Sequence, residues 1–272
     1  MNGFKKIVKE LLDLEFIIFI IILLAIRWSV LGNYKVPTES MVPTIEVGDR
    51  LFANKLAYSL MVPFRDTTLI RWKTPERGDI IAFRNPNNEK EMFTKRVIGL
   101  PGDKIEIRNK KLYINDKEIP TQFASFVKEI EYVDPANGKL KVITDKLVKN
   151  KFTDNKSLEI KDDTVYINGV KIPDSNIKSV KDFIYNYEKL GDVTHLIRNY
   201  TRSNPMENAD NYSIIVEPGF YFAMGDNRDE SFDSRFWGLL DVNNIEGKLI
   251  FRWWAFKDKT FSPDFRKIGL IR

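Results

Sequence analysis

The sequence predicts a mainly β protein behind one N-terminal apolar helix, and three observations carry that expectation. Short apolar or alternating runs recur along the chain between Gly, Pro, Asn and Asp residues, the pattern of strands and turns. One uninterrupted apolar run, purest over residues 16–26, stands alone near the start. The middle of the chain, about 104–215, repeats a hairpin-like pattern and is richer in Lys and Asp than its flanks. With 272 residues and 43% hydrophobic content, the chain can build one large or two modest domains.

Taken in order, Lys5, Lys6 and Lys9 precede the apolar run. Counted from Leu14 to Leu31, with Arg27 snorkelling and Trp28 at the interface, the run is long enough to span a bilayer. No small-x-small cleavage site follows it, so a retained anchor is expected rather than a cleaved leader. The lysines before it favour a cytoplasmic N-terminus, which puts everything after residue 32 on the outer face. Residues 32–37 read as a short connection. Residues 47–55 read as a turn into a strand, 60–64 as an apolar loop that is either core or dips into lipid, and 80–84 as a strand buried on both faces. Asn85-Pro-Asn-Asn-Glu-Lys90 is a hairpin-like turn into the next strand.

That next strand carries the first chemical signal. Alternation puts Lys95 on one face with Phe93 and Val97, while Arg96 points the other way, toward water. The strand ends at Gly99-Leu-Pro-Gly-Asp103, where Pro101 and Gly102 suit the centre of a type II turn. A lone strand lysine usually snorkels to the surface. A lysine kept on an apolar face instead has its pKa pushed down, toward the range of a usable base. A candidate nucleophile lies upstream in Glu39-Ser40-Met-Val-Pro-Thr44, close to the end of the apolar run.

In the middle region, residues 105–120 and 158–173 resemble each other, with Asn115-Asp116 and Asn168-Gly169 at the expected turns. Duplication and convergent turn chemistry both explain this. Val180, Phe183, Ile184, Tyr187 and Leu190 follow helical spacing between Ser179, a candidate N-cap, and Gly191, a candidate stop, which predicts one short helix. His195, the only histidine, has no motif around it and reads as a structural or surface residue. Further on, a short apolar strand runs into a loop crowded with Asp226, Arg228, Asp229, Asp233 and Arg235. Charges at that density can lock a loop through hydrogen bonds. Residues 249–256 form a late, aromatic strand.

Composition excludes several classes. There is no cysteine for disulfide or thiol chemistry, and a single histidine argues against a metal site built on a histidine cluster. Neither a phosphate-binding glycine loop nor a nucleic-acid motif occurs, so no cofactor, metal or nucleic acid is expected. The formal charge of +5 fits an anionic membrane surface and simple solubility equally well.

Four motifs in order then carry a resemblance: Ser40-Met-Val-Pro-Thr44 after an anchor, Gly78-Asp-Ile-Ile-Ala-Phe83, Lys95-Arg-Val-Ile-Gly-Leu-Pro-Gly-Asp103, and Gly225-Asp-Asn-Arg-Asp-Glu-Ser-Phe-Asp-Ser-Arg235. Together they resemble bacterial type I signal peptidases, membrane-bound serine proteases that remove signal peptides from exported proteins. The resemblance covers about residues 10–104 and 216–256. It implies an antiparallel β catalytic domain, placed at 33–103 and 216–272; the residues themselves read as an inserted β-rich subdomain with one short helix over 104–215 and as a cytoplasmic tip and transmembrane helix within 1–32. It also implies a Ser-Lys dyad, with Ser40 as nucleophile and Lys95 as general base. Thr38 matches an oxyanion-binding hydroxyl, Ser231 a serine that hydrogen-bonds the lysine, and Asp233 and Arg235 supporting positions. Expected partners are secretory preproteins cut after Ala-x-Ala and the lipid bilayer. A monomer is expected, anchored once in the bacterial cytoplasmic membrane. The alternatives are a specialised pilin or transfer-protein maturation protease and an inactive membrane-tethered β scaffold. The inserted region carries no motif, and its expected place is outside the catalytic part.

Overall fold

The computed structural model describes residues 14–63, 65, 67–147, 158–161, 164–201, 211–257 and 262–271. Within them the protein is mainly β, and every strand pair is antiparallel. The central sheet orders the strands Leu31–Lys35, Arg50–Asn54, Ile245–Trp254, Ile80–Asn85, Asn88–Gly99, Phe220–Met224 and Leu240–Asp241, with Gly269–Leu270 added to Ile245–Trp254. The segment expected to be a short connection after the apolar run is therefore an edge strand, paired with Arg50–Asn54.

Before it runs a helix, Leu14–Val30, of 17 residues. Phe16, Ile18, Ile21 and Leu24 on it are exposed. Among the described residues no helix is long and apolar enough to cross a membrane. The three N-terminal lysines lie outside the described residues.

The strand Ile80–Asn85 is buried throughout, as an unbroken apolar run between two neighbours should be. The Pro86-Asn87 turn brings Asn85 opposite Asn88 and fixes the register that sets Ile81 across from Lys95 and Ile80 across from Arg96. On the Lys95 face, Ile81, Phe83, Val97, Tyr221 and Ala223 form one buried cluster, with Phe93 packed against it. Met41, Ile45, Leu51, Ile80 and Ala82 form a second. The strand stops as expected: Gly102 has φ 91, and Asp103 N donates to Leu100 O at 3.0 Å, closing the turn. Asp103 also takes Leu100 N at 2.6 Å and Arg77 Nη2 at 2.9 Å on one carboxylate oxygen.

The two similar stretches of the middle region have one architecture. Lys104–Arg108, Lys111–Ile114 and Lys117–Glu118 form a meander, and Leu158–Lys161, Thr164–Ile167 and Val170–Ile172 form another. Ile105 pairs with Ile114 as Leu158 pairs with Ile167, and Ile114 with Lys117 as Ile167 with Val170. Both linking turns, Asn115-Asp116 and Asn168-Gly169, have positive φ at both residues, as two-residue type I′ turns require. The first meander also pairs with Asn211–Ile215, and its Ile105, Ile107, Leu112 and Ile114 share a buried cluster with Ile98, Phe222 and Met224 of the central sheet. The core is thus continuous across residue 104.

The helix expected over 180–190 is a strand, Ile177–Leu190, held between Thr121–Val133 and Val193–Tyr200. Its side chains invert the usual signal. Glu188 is buried and Val180 and Tyr187 are exposed, so polarity does not mark the faces and the apolar spacing only mimics a helix. The β-branched and aromatic residues Val180, Phe183, Ile184, Tyr185 and Tyr187 suit the strand. Gly191, expected as a helix stop, is the first residue of a two-residue turn that sets Leu190 opposite Val193.

Candidate active site

The site forms where the Asn88–Gly99 strand meets the loop after the edge strand. Backbone pairing aims Lys95 onto the apolar face with Ile81 directly across, and the side chain is 4% exposed. Ser40 sits in a turn tied by Val42 N to Glu39 O at 3.0 Å and by Ile45 N to Met41 O at 2.9 Å. Met41 and Ile45 are fully buried in the neighbouring cluster and pin that turn to the sheet. The two elements bring Lys95 Nζ to Ser40 Oγ, which accepts a hydrogen bond at 2.6 Å. Burial pushes the Lys95 amine down from 10.5 to about 8, even with Asp233 and Asp226 nearby holding it up; Arg235 works with burial.

Thr38, two residues before Ser40, places its Oγ1 3.4 Å from Ser40 Oγ. Asp233 is fully buried and takes four hydrogen bonds: Arg235 Nε at 2.8 Å, Arg235 Nη2 at 2.8 Å, Gly225 N at 3.0 Å and Arg235 N at 3.3 Å. Burial alone would raise the Asp233 carboxyl, but the Arg235 guanidinium and the Gly225 N–H hold it below the usual range. Ser231 is fully buried, and its hydroxyl makes no hydrogen bond among the described residues. It lies beside Gly225, where an added Cβ would collide with both Ser231 Oγ and Ser40 O. A glycine is required there by that close approach. All six residues named from the sequence therefore lie in or around one site.

Arg96 overturns the expectation that it points to water. It is fully buried and forms a forked pair with Asp226, Nε to Oδ1 at 2.9 Å and Nη2 to Oδ2 at 2.8 Å, and it donates to Gly78 O at 2.8 Å. Alternation correctly gave it the opposite face, but the 226–230 loop covers that face. Thr44 donates to the same carboxylate at 2.5 Å. Asp226 stays ionised: burial pushes it up, and Arg96 more than offsets this. His195 is buried rather than on the surface, with Nε2 3.4 Å from Glu188 Oε1 and 3.6 Å from Asp226 Oδ1. Burial pushes its imidazole down to about 4 against the pull of Asp226, so it is neutral at pH 7.

Sequence reasoning missed Asn227, which has no charge and no spacing to mark it. Its backbone N donates to Ser40 O at 3.1 Å and its Nδ2 to Glu39 O at 3.1 Å. Among the described residues no group of His, Cys, Asp and Glu could hold a metal ion.

A serine hydroxyl hydrogen-bonded to a buried amine of lowered pKa can perform nucleophilic acyl transfer without a cofactor, the chemistry of a serine hydrolase. The family model described as signal peptidase, peptidase S26, matches residues 8–157 and 154–254. The chain belongs to that peptidase family. It is 30% identical to a signal peptidase I of Pseudomonas aeruginosa over 98% of this chain and 82% of that protein. It is 32% identical to a signal peptidase I of Aquifex aeolicus over 92% of this chain and 86% of the relative. A crystal structure of a signal peptidase I from Enterococcus faecalis is 25% identical, covering 65% of this chain and 97% of that one at a TM-score of 0.30.

Proposed function

We propose that this protein is a signal peptidase I, a serine endopeptidase that removes N-terminal signal peptides from exported preproteins, with Ser40 as nucleophile and Lys95 as general base. The observation that carries the assignment is the 2.6 Å hydrogen bond between the Lys95 amine and the Ser40 hydroxyl inside a buried site. In its neutral form the amine accepts the Ser40 proton as Oγ attacks the scissile carbonyl. The oxyanion is held by the Ser40 backbone N–H and the Thr38 hydroxyl. The protonated Lys95 then gives its proton to the leaving amine, and a water, activated by the same lysine, releases the acyl group. The Asp233–Arg235 pair fixes Gly225, which packs closely against both Ser231 and the Ser40 carbonyl. Cleavage follows small residues, Ala-x-Ala.

The same reading makes the protein a monomer anchored once in the cytoplasmic membrane. Its N-terminus is cytoplasmic and its β domain, 33–103 with 216–272 and the 104–215 insertion, lies outside. The described helix of 17 residues is about 26 Å long, against a hydrocarbon core of roughly 30 Å. Lys55 stacks over Trp28 at 4.1 Å and pairs with Glu246 at 3.3 Å, tying the helix end to the sheet. The exposed Leu69, Ile70 and Trp72, on and just after the hairpin of Ser59–Met61 and Thr68–Arg71, suit contact with lipid. No observation favours a specialised substrate or an inactive scaffold.

The test is cleavage of a preprotein with an Ala-x-Ala site by the detergent-solubilised full chain and its Ser40→Ala and Lys95→Arg variants. The expected result is one cut by the wild type and none by either variant, because arginine stays protonated. Substantial activity in Lys95→Arg would end the assignment of Lys95 as base.

A further inference from the structure

The 104–215 segment reaches the chain neighbour of Ser40. Arg198, on the strand Val193–Tyr200, is 2% exposed and lies far from Ser40 in sequence. Its Nη2 donates to Glu39 Oε2 at 3.2 Å and to Glu230 Oε2 at 2.8 Å. Its backbone N donates to Asp226 O at 2.9 Å, so the strand is stitched to the 226–230 loop by main chain as well. The guanidinium is 4.1 Å from the centre of the Phe183 ring, which fixes its plane.

Both carboxylates lead to Ser40. Glu39 is its chain neighbour. Glu230 accepts from Asn227 Nδ2 at 3.0 Å, and Asn227 in turn holds Glu39 O and Ser40 O. The two carbonyls flanking the Ser40 backbone are therefore set by one asparagine, and that asparagine and Glu39 are set by one arginine. Lys181 and Tyr200, also from the insertion, complete the grip on Glu230. Charge-assisted bonds of this kind are short and directional, which suits them to fixing a position.

We propose that Arg198 is a positioning residue for Ser40, and that the 104–215 insertion works as part of the active-site frame. Arg198 touches neither reacting atom. It acts through Glu39 and through Glu230 and Asn227. This rests on Ser40 being the nucleophile. Misplacing a reacting group by about 1 Å can cost on the order of 100-fold in rate.

The experiment measures kcat and KM of the full chain in detergent on an Ala-x-Ala preprotein for Arg198→Met, Arg198→Lys and Glu39→Gln, with thermal melting of each. It also measures the rate at which a fluorophosphonate labels Ser40, a readout that needs no preprotein. Expected are a loss of roughly 10- to 100-fold in kcat for Arg198→Met with KM within about threefold, partial recovery in Arg198→Lys, and a matching fall in labelling rate. Glu39→Gln should lose less, and adding it to Arg198→Met should cost little more, since both act on one link. Lys128→Ala, which removes a surface pair with Asp182 on the same insertion, should leave kcat unchanged. Wild-type kcat and labelling in folded Arg198→Met would overturn the proposal. If that variant does not fold, wild-type kcat and labelling in Glu39→Gln would overturn it. Failure of the wild type to cut the preprotein strikes the peptidase reading alone, and the labelling rates then decide the role of Arg198.

Discussion

Replacing Lys95 with methionine should make the protein more stable at neutral pH while abolishing activity. Burial lowers the folded-state pKa of Lys95 from 10.5 to about 8. At 1.36 kcal/mol per pKa unit, keeping that lysine charged in the folded state costs about 3 kcal/mol relative to the unfolded chain. At pH 7 the amine is mostly protonated in both states, so nearly all of this cost is present. Methionine has a similar length and no charge. It forfeits the hydrogen bond from the charged amine to Ser40, worth about 2 kcal/mol, which leaves a net gain of about 1 kcal/mol. The sign changes with pH. Between pH 8 and 10.5 the unfolded lysine still binds a proton that the folded one has released, so wild-type stability rises with pH and the advantage of Lys95→Met fades. Urea unfolding of the full chain in detergent, followed by tryptophan fluorescence at pH 7 and pH 10, measures both effects. A variant less stable than wild type at pH 7, or a difference that does not shrink by pH 10, would refute the reasoning.

Two further substitutions probe the frame around the pair. Gly225→Ala forces a methyl group into Ser231 Oγ and Ser40 O, so kcat should drop at least tenfold while the melting temperature falls by only a few degrees; an unchanged kcat would show that the loop yields freely. Arg96→Met leaves the buried Asp226 without its forked partner and should cost about 3–5 kcal/mol in urea unfolding, most of it recovered when Asp226→Leu is added; no recovery would mean that the pair is not the source of the loss.

The Lys95 strand was readable from the chain because three independent signals agree there: alternation, a turn with Pro and Gly at its centre, and an apolar partner strand. The pairing with Ser40 followed from the motifs, not from any local pattern. Arg96 was misread for a physical reason. Alternation assigns a face but does not say what covers it, and here a loop from about 130 residues later closes over it and supplies Asp226. The strand Ile177–Leu190 was misread because ion pairs interrupt its alternation. Lys181 pairs with Glu230 and the buried Glu188 with Arg228, so polar residues occupy positions that a plain core strand would fill with valine or isoleucine. The same network explains why the insertion was expected to lie apart from the site. Arg198 and Glu230 have no spacing in sequence that relates them, and only the pairing of the Val193–Tyr200 strand with the loop at Asn227 brings them together.

The most direct test of Lys95 as base is the pH dependence of kcat/KM, measured with an Ala-x-Ala preprotein and the full chain in lipid vesicles. A base with a pKa of about 8 is neutral in about a tenth of molecules at pH 7, against about one in three thousand for an ordinary lysine. The expected profile rises tenfold per pH unit below an inflection near 8 and levels off above it. An inflection near 4, where His195 titrates, or a rate already at its maximum at pH 6, would contradict Lys95 as the base.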